Sequence, residues 1–93
     1  PADPATGKIV EGGIEAQATQ VFENIRTVLG EMGLSFANVL KTTVFLTDLG
    51  DFAAVNAIYE RHFGPDFPAR SCVEVSRLPA GARVEVELIC EKV

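Results

Sequence analysis

Between Gly12-Gly13 and Gly33 the apolar residues Ile14, Ala18, Val21, Ile25, Val28, Leu29 and Met32 recur at steps of three and four. That spacing gathers side chains on one face of an α-helix, so the sequence predicts a helix over residues 14–32 with Gly33 as a left-handed stop. A helix that is apolar on one side only must bury that side against another element. The chain supplies one at residues 39–47, where Val-Leu-Lys-Thr-Thr-Val-Phe-Leu-Thr is β-branched and aromatic, with Leu40, Val44 and Leu46 on one parity. A second helix follows, capped by Asp48 or Asp51, with Phe52, Val55, Tyr59 and Phe63 as its stripe and Gly64-Pro65 as its end.

The last third of the sequence reads as a β-hairpin, residues 70–76 and 83–91 flanking the turn formers Leu78-Pro79-Ala80-Gly81. One apolar side requires Val73 and Val75 to share a face with Val84, Val86 and Leu88, which sets Val73 against Val86 and Val75 against Val84. The same register collects Arg70, Cys72, Glu74, Glu85 and Glu87 on the opposite face, while the helices cover the valines. The expected fold is an α+β sandwich with both helices on one side of the sheet. A length of 93 residues allows one domain, so residues 1–93 are expected to form a single domain, and 47% hydrophobic content suffices for a packed core. A globule of this size buries only roughly 60–70% of its unfolded surface, which favours association with a second copy. The opening Pro1-Ala2-Asp3-Pro4-Ala5-Thr6-Gly7 is dense in turn formers and reads as the middle of a connection, with further residues expected upstream.

Charge narrows the partners. Eight Lys and Arg stand against 13 Asp and Glu, a net charge of −5, with no basic run at either end. Nucleic acid and anionic membranes are therefore disfavoured as partners. No apolar stretch approaches the ~20 residues of a membrane span, and no signal peptide or Arg-rich presequence is recognisable. Two cysteines and no Asn-x-Ser/Thr sequon suit a reducing compartment, so the expected location is cytoplasmic.

Metal binding finds no support, because His62 is the one histidine and Cys72 and Cys90 form no C-x-x-C or H-E-x-x-H pattern. His62 reads as a solvated residue at the end of the second helix, favoured there by the helix dipole. Gly12-Gly13 lacks the Gly-Lys-Ser/Thr ending of a phosphate loop and reads as a helix entrance. Cys72 stands two residues from Arg70, so a neighbouring cation favours its thiolate; the alternative is a small residue that packs. Cys90 shares parity with Val84, Val86 and Leu88 and reads as core.

Arg70 is the most informative residue. It begins a strand after Phe67-Pro68-Ala69, which mounts its planar fork on a rigid element in a form suited to bidentate recognition of a carboxylate. In the expected hairpin Glu85 faces it or lies close by, either as its ion-pair partner or as holder of a water for proton transfer. Glu74 and Glu87 read as surface or inter-subunit partners, and Asn56 as a cap for a neighbouring backbone or a solvated residue.

Several blocks carry a family resemblance: Gly12-Gly13-Ile14, Leu29-Gly30-Glu31-Met32-Gly33, Val39-Leu40-Lys41-Thr42-Thr43-Val44-Phe45-Leu46 and Asp51-Phe52-Ala53-Ala54-Val55-Asn56. Pro68-Ala69-Arg70-Ser71-Cys72-Val73-Glu74-Val75 follows, and Leu78-Pro79 and Val84-Glu85-Val86-Glu87 close the match. In this order they span almost the whole chain and resemble the reactive intermediate deaminase family, the YjgF-type (RidA) imine deaminases. The resemblance implies chorismate-mutase-like α+β subunits with a mixed sheet, assembled as homotrimers with sites in the clefts between neighbours. It further implies two N-terminal strands, a pocket aromatic residue and a Ser-Gly-Gln-type loop immediately before the segment that starts here at Pro1. The implied reaction is hydrolysis of 2-aminoacrylate and its 2-iminopropionate tautomer to a 2-keto acid and ammonia, without metal or bound cofactor. By position, Arg70 would clamp the substrate carboxylate, Glu85 would orient or activate water, and Cys72 and Asn56 would line the pocket.

A rival reading keeps the trimer but not the chemistry: a 2-keto-acid-binding, chaperone-like or translation-inhibiting protein. The presence of both Arg70 and Glu85 favours catalysis, because carboxylate binding alone needs only the arginine. A ribonuclease role is disfavoured by the acidic charge and the absence of a basic stripe with aromatics.

Overall fold

The computed structural model describes residues 1–64 and 67–92. Helix α1 spans Gly13–Glu31, strand β1 Val39–Leu46, helix α2 Phe52–Phe63, strand β2 Ala69–Glu74 and strand β3 Val84–Cys90, with short 3-10 turns at Phe36–Asn38, Leu49–Asp51 and Pro79–Gly81. The predicted stop of α1 is present: Gly33 has φ 74°, and the Leu34 amide donates to the Leu29 carbonyl while the Gly33 amide donates to Gly30. This closes the helix as a Schellman motif. Phe22, absent from the expected stripe, is fully buried at its centre, whereas Val28 and Met32 lie outside the core. Asp48 caps the turn before α2 by accepting from the Gly50 amide. Asp51 occupies the N-cap position of α2 without capping it and pairs with Arg83 instead. Gly64 ends α2; Pro65, expected to share that role, lies outside the described residues. The N-terminal turn is built on Asp3, whose carboxylate accepts from the Ala5 amide and whose carbonyl accepts from Gly7.

The sheet departs from the expected hairpin. Its order is β2-β1-β3, so the last two strands do not touch. β1 pairs in parallel with β2, Thr42 beside Arg70 and Val44 beside Cys72, and antiparallel with β3, Val44 beside Val86 and Leu46 beside Val84. The proposed pairs Val73–Val86 and Val75–Val84 are therefore replaced by Phe45–Val73 and Phe45–Glu85 on one face and Leu46–Val84 on the other. The physical reason lies in β1. Val44 and Leu46 serve one face and Phe45 the other, the composition of a central strand with neighbours on both sides. A parallel neighbour needs a long crossover, which α2 provides. The segment after β2 then has only to pass the end of β1, a gap of about 10 Å for two strand spacings. Ala80 (φ 58°) and Gly81 (φ 73°) turn it in left-handed conformations.

Both helices cover one face of this mixed sheet. The core joins Ala18, Val21, Phe22 and Leu29 of α1 to Val55, Ile58, Tyr59 and Phe63 of α2, and to Val44, Leu46 and Val84 of the sheet. A bulge between Val39 and Lys41 breaks the expected parity, and Leu40 is exposed. His62 is not simply solvated: its ring stacks on Phe22 at 5.0 Å, and its Nδ1 lies 2.8 Å from the Ile58 carbonyl oxygen. Cys90 packs partly buried against the core, as its parity indicated.

Candidate functional site

Arg70 partners Thr42, which is buried on the helix side. Strand alternation therefore sends its side chain beneath α2, where the guanidinium carbon lies 4.7 Å from the centre of the Tyr59 ring and 5.2 Å from that of Phe52. Its Nη1 donates to Oδ1 of Asn56. The Asn56 amide group in turn donates to Oε1 of Glu60 at 3.0 Å, one helical turn along α2. Tyr59 cannot drift from this position: it is 2% exposed, and its hydroxyl is 2.8 Å from Oγ1 of buried Thr42.

The partners that hold Arg70 are thus a neutral amide and two aromatic faces. The ion pair found among the described residues is Arg83 with Asp51, 2.9 Å apart, so no described carboxylate pairs directly with Arg70. A guanidinium has five N–H donors, and the Asn56 contact uses one. What remains is an oriented cation with spare donors beside an open cavity of about 280 Å³, lined by Asn56, Tyr59, Glu60, Phe67, Pro68 and Arg70. Chemically this suits a small anion, a carboxylate above all, with an apolar portion resting against Phe67 and Pro68.

Cys72 follows on the same face, partly buried against the core. Burial pushes its thiol above the ordinary range, and the nearby Arg70 charge offsets this only in part. The packing alternative for Cys72 therefore describes this chain better than an activated thiolate. Asn56, left open between a cap and a solvated residue, instead touches Arg70 directly.

Glu85 is elsewhere. It pairs with Phe45 across β1, on the face turned away from the helices, and Glu87 pairs with Thr43 on that same face. Within one chain the sheet separates Arg70 from Glu85, which corrects the expected cluster. Glu74 also leaves that cluster, its Oε1 accepting from the Leu49 amide at 2.9 Å. Sequence reasoning missed Glu60, Tyr59 and Phe52 as neighbours of Arg70. The spacing of Phe52, Asn56 and Tyr59-Glu60 at helical steps carried the signal, but only the parallel pairing of β2 aims Arg70 at it. Among the described residues no group of three or more metal-ligating side chains occurs, and no helix is long and apolar enough to cross a membrane.

Comparison with known proteins gives this geometry its context. The family model described as Endoribonuclease L-PSP matches residues 1–92. A RutC family protein of Haemophilus influenzae is 54% identical over 93 residues, covering 96% of this chain and 71% of its own length. A protein of Salmonella typhimurium named 2-iminobutanoate/2-iminopropanoate deaminase is 49% identical over 92 residues, covering 96% of this chain and 71% of its own length. The crystal structure of Escherichia coli TdcF with bound serine superposes with a TM-score of 0.92 at 38% identity, over 100% of this chain and 75% of TdcF. The two-helix, mixed-sheet arrangement is accordingly the chorismate-mutase-like fold of these proteins. On the family match and these identities, the chain belongs to the Endoribonuclease L-PSP family, the reactive intermediate deaminase family that its sequence resembles.

Proposed function

We propose that the protein hydrolyses 2-imino and enamine acids such as 2-iminopropionate to 2-keto acids and ammonia. The observation that carries this reading is an Arg70 guanidinium held only by neutral described groups beside a cavity, which leaves its charge for a substrate carboxylate. The deaminase name of the Salmonella relative supports the reaction class. Arg70 binds the carboxylate and fixes the imine carbon. Water adds to that carbon as the C=N π pair moves to nitrogen, and Glu85 takes the proton that water loses. Glu85 returns that proton to the amino nitrogen; the carbinolamine then collapses, the C–N pair leaving with ammonia as the O–H pair forms the C=O bond and the hydroxyl proton passes through Glu85 to the departing ammonia. A protonated imine is already electrophilic, so positioning and one polarised water supply most of what is needed. Asn56 lines the cavity beside Arg70, and Cys72, two residues further along the same face of β2, is proposed to border the bound substrate.

Because Arg70 and Glu85 lie on opposite faces of one sheet, this mechanism takes Glu85 from a neighbouring copy. The exposed Val73 and Ile89 lie on the same face as Glu85 and offer apolar area for that contact. The proposed assembly is a cytoplasmic homotrimer with its sites between subunits. The net charge of −5 repels RNA and small anions alike, and the single local cation of Arg70 suits one carboxylate rather than a run of phosphates.

The test follows pyruvate release from 2-aminoacrylate generated by a serine dehydratase. Arg70→Ala and Glu85→Gln each abolish the acceleration, and co-refolding the two variants restores part of it, because some mixed sites then receive both native residues. Full activity in Arg70→Ala would overturn the carboxylate clamp. Inactive single variants that never complement would overturn the shared site. A second reading, ligand binding without turnover, is favoured by the separation of Arg70 from Glu85 within a chain, and predicts pyruvate binding that depends on Arg70 without any acceleration.

A further inference from the structure

We infer that Glu60 is a positioning residue for substrate binding, acting on Arg70 through Asn56; this rests on the role proposed above for Arg70. An asparagine amide presents an acceptor or a donor depending on which way it is turned, and only the acceptor is useful to a guanidinium. Here Oδ1 faces Nη1 of Arg70 while the amide group donates to Oε1 of Glu60. With the Glu60 acceptor in place, the flipped amide would meet donors with its donor and an acceptor with its acceptor. Glu60 therefore holds Asn56 in the orientation that holds Arg70.

The acid stands one residue removed from the cation, and this has a functional consequence. A carboxylate bonded directly to Arg70 would occupy the donors and cancel the charge that the substrate carboxylate needs. Relayed through a neutral amide, the same carboxylate supplies orientation and leaves the guanidinium open towards the cavity that Glu60 and Arg70 both line. The spacing on α2 makes the arrangement local, because Asn56 and Glu60 are one helical turn apart.

Simple electrostatics and the relay predict different results. Removing a negative charge near an anion site tightens binding whichever way the charge is removed. The test compares Glu60→Gln, which removes the charge and keeps an acceptor, with Glu60→Ala, which removes both. KM for 2-iminopropionate and the dissociation constant for pyruvate are measured, with kcat beside them. The relay predicts both constants about 1.5- to twofold higher in Glu60→Ala than in Glu60→Gln, the size of one helix-surface hydrogen bond, with little difference in kcat. In an Asn56→Ala background the difference vanishes. Equal constants for the two Glu60 variants, or an undiminished difference without Asn56, would overturn the relay. Arg70→Ala is the reference: if it retains full activity, the reading of the site fails, whereas an inactive Arg70→Ala with equal Glu60 variants overturns the relay alone.

Discussion

The hydroxyl groups of Thr42 and Tyr59 lie 2.8 Å apart in the core, joining the central strand to α2 beneath the guanidinium of Arg70, with both residues 2% exposed or less. Removing one partner leaves the other buried without a bond, which costs more than the bond itself contributes. Thr42→Val is expected to destabilise the protein by about 1–3 kcal/mol, and Tyr59→Phe by a similar amount. The double variant recovers part of the loss, because no orphaned hydroxyl remains. Denaturant titration of the four proteins checks this, and strict additivity would contradict it.

The Cys72 thiol is raised by burial and lowered, to a smaller extent, by Arg70. At neutral pH it is therefore protonated, and its alkylation by iodoacetamide is expected to be slower than that of a free thiol and to accelerate at a higher pH. Arg70→Ala removes the lowering influence and moves that profile higher still. Linkage has a definite sign: the unfolded thiol ionises first, so its contribution to stability is complete below the ordinary thiol range and declines as pH rises through the folded value. A reaction profile at or below that of free cysteine would refute the assignment.

Arg83 meets two groups of different worth. Its backbone amide donates to Oε1 of Gln17 at 2.8 Å, and Gln17 is 7% exposed. Its guanidinium pairs with Asp51, but the Arg83 side chain is 43% exposed, so solvent screens the pair. Asp51→Asn is expected to cost less than about 1 kcal/mol, whereas Gln17→Ala, which strips an amide of its partner and opens space in the core, costs about 1–3 kcal/mol. Thermal unfolding of the two variants should rank them in that order.

Ala80 adopts φ 58°, a left-handed conformation that its Cβ disfavours. Ala80→Gly is expected to stabilise the protein by about 0.5–1 kcal/mol, the steric relief exceeding the added flexibility of the unfolded chain. A lower midpoint of unfolding would contradict this.

What the sequence made legible was mostly local. The two helices, the Gly33 stop and the β-branched run of β1 are encoded within a few turns of chain and appear where expected, although Phe22 is buried in α1 where Val28 and Met32 were expected to be. Strand pairing is not local. Val73 and Val75 looked like one half of a hairpin because alternation reports two faces but not which neighbour lies beside a strand. The same limit misassigned the neighbours of Arg70 within one chain. Arg70 was identified from its mounting after Phe67-Pro68-Ala69, yet its companion was sought in Glu85, and the correct neighbours Asn56 and Tyr59 became visible only once β2 lay beside β1.

The central place of β1 also determines how the backbone opens to solvent. Its amides point alternately to β2 and β3 and are bonded on both sides, whereas every second amide of β2 and β3 points away from the ladder that β1 offers. Hydrogen exchange in a single chain should accordingly distinguish a continuously protected middle strand from two flanking strands that exchange in alternation. The strands bearing Arg70 and Glu85 are the two expected to open first, on either side of one held by both neighbours.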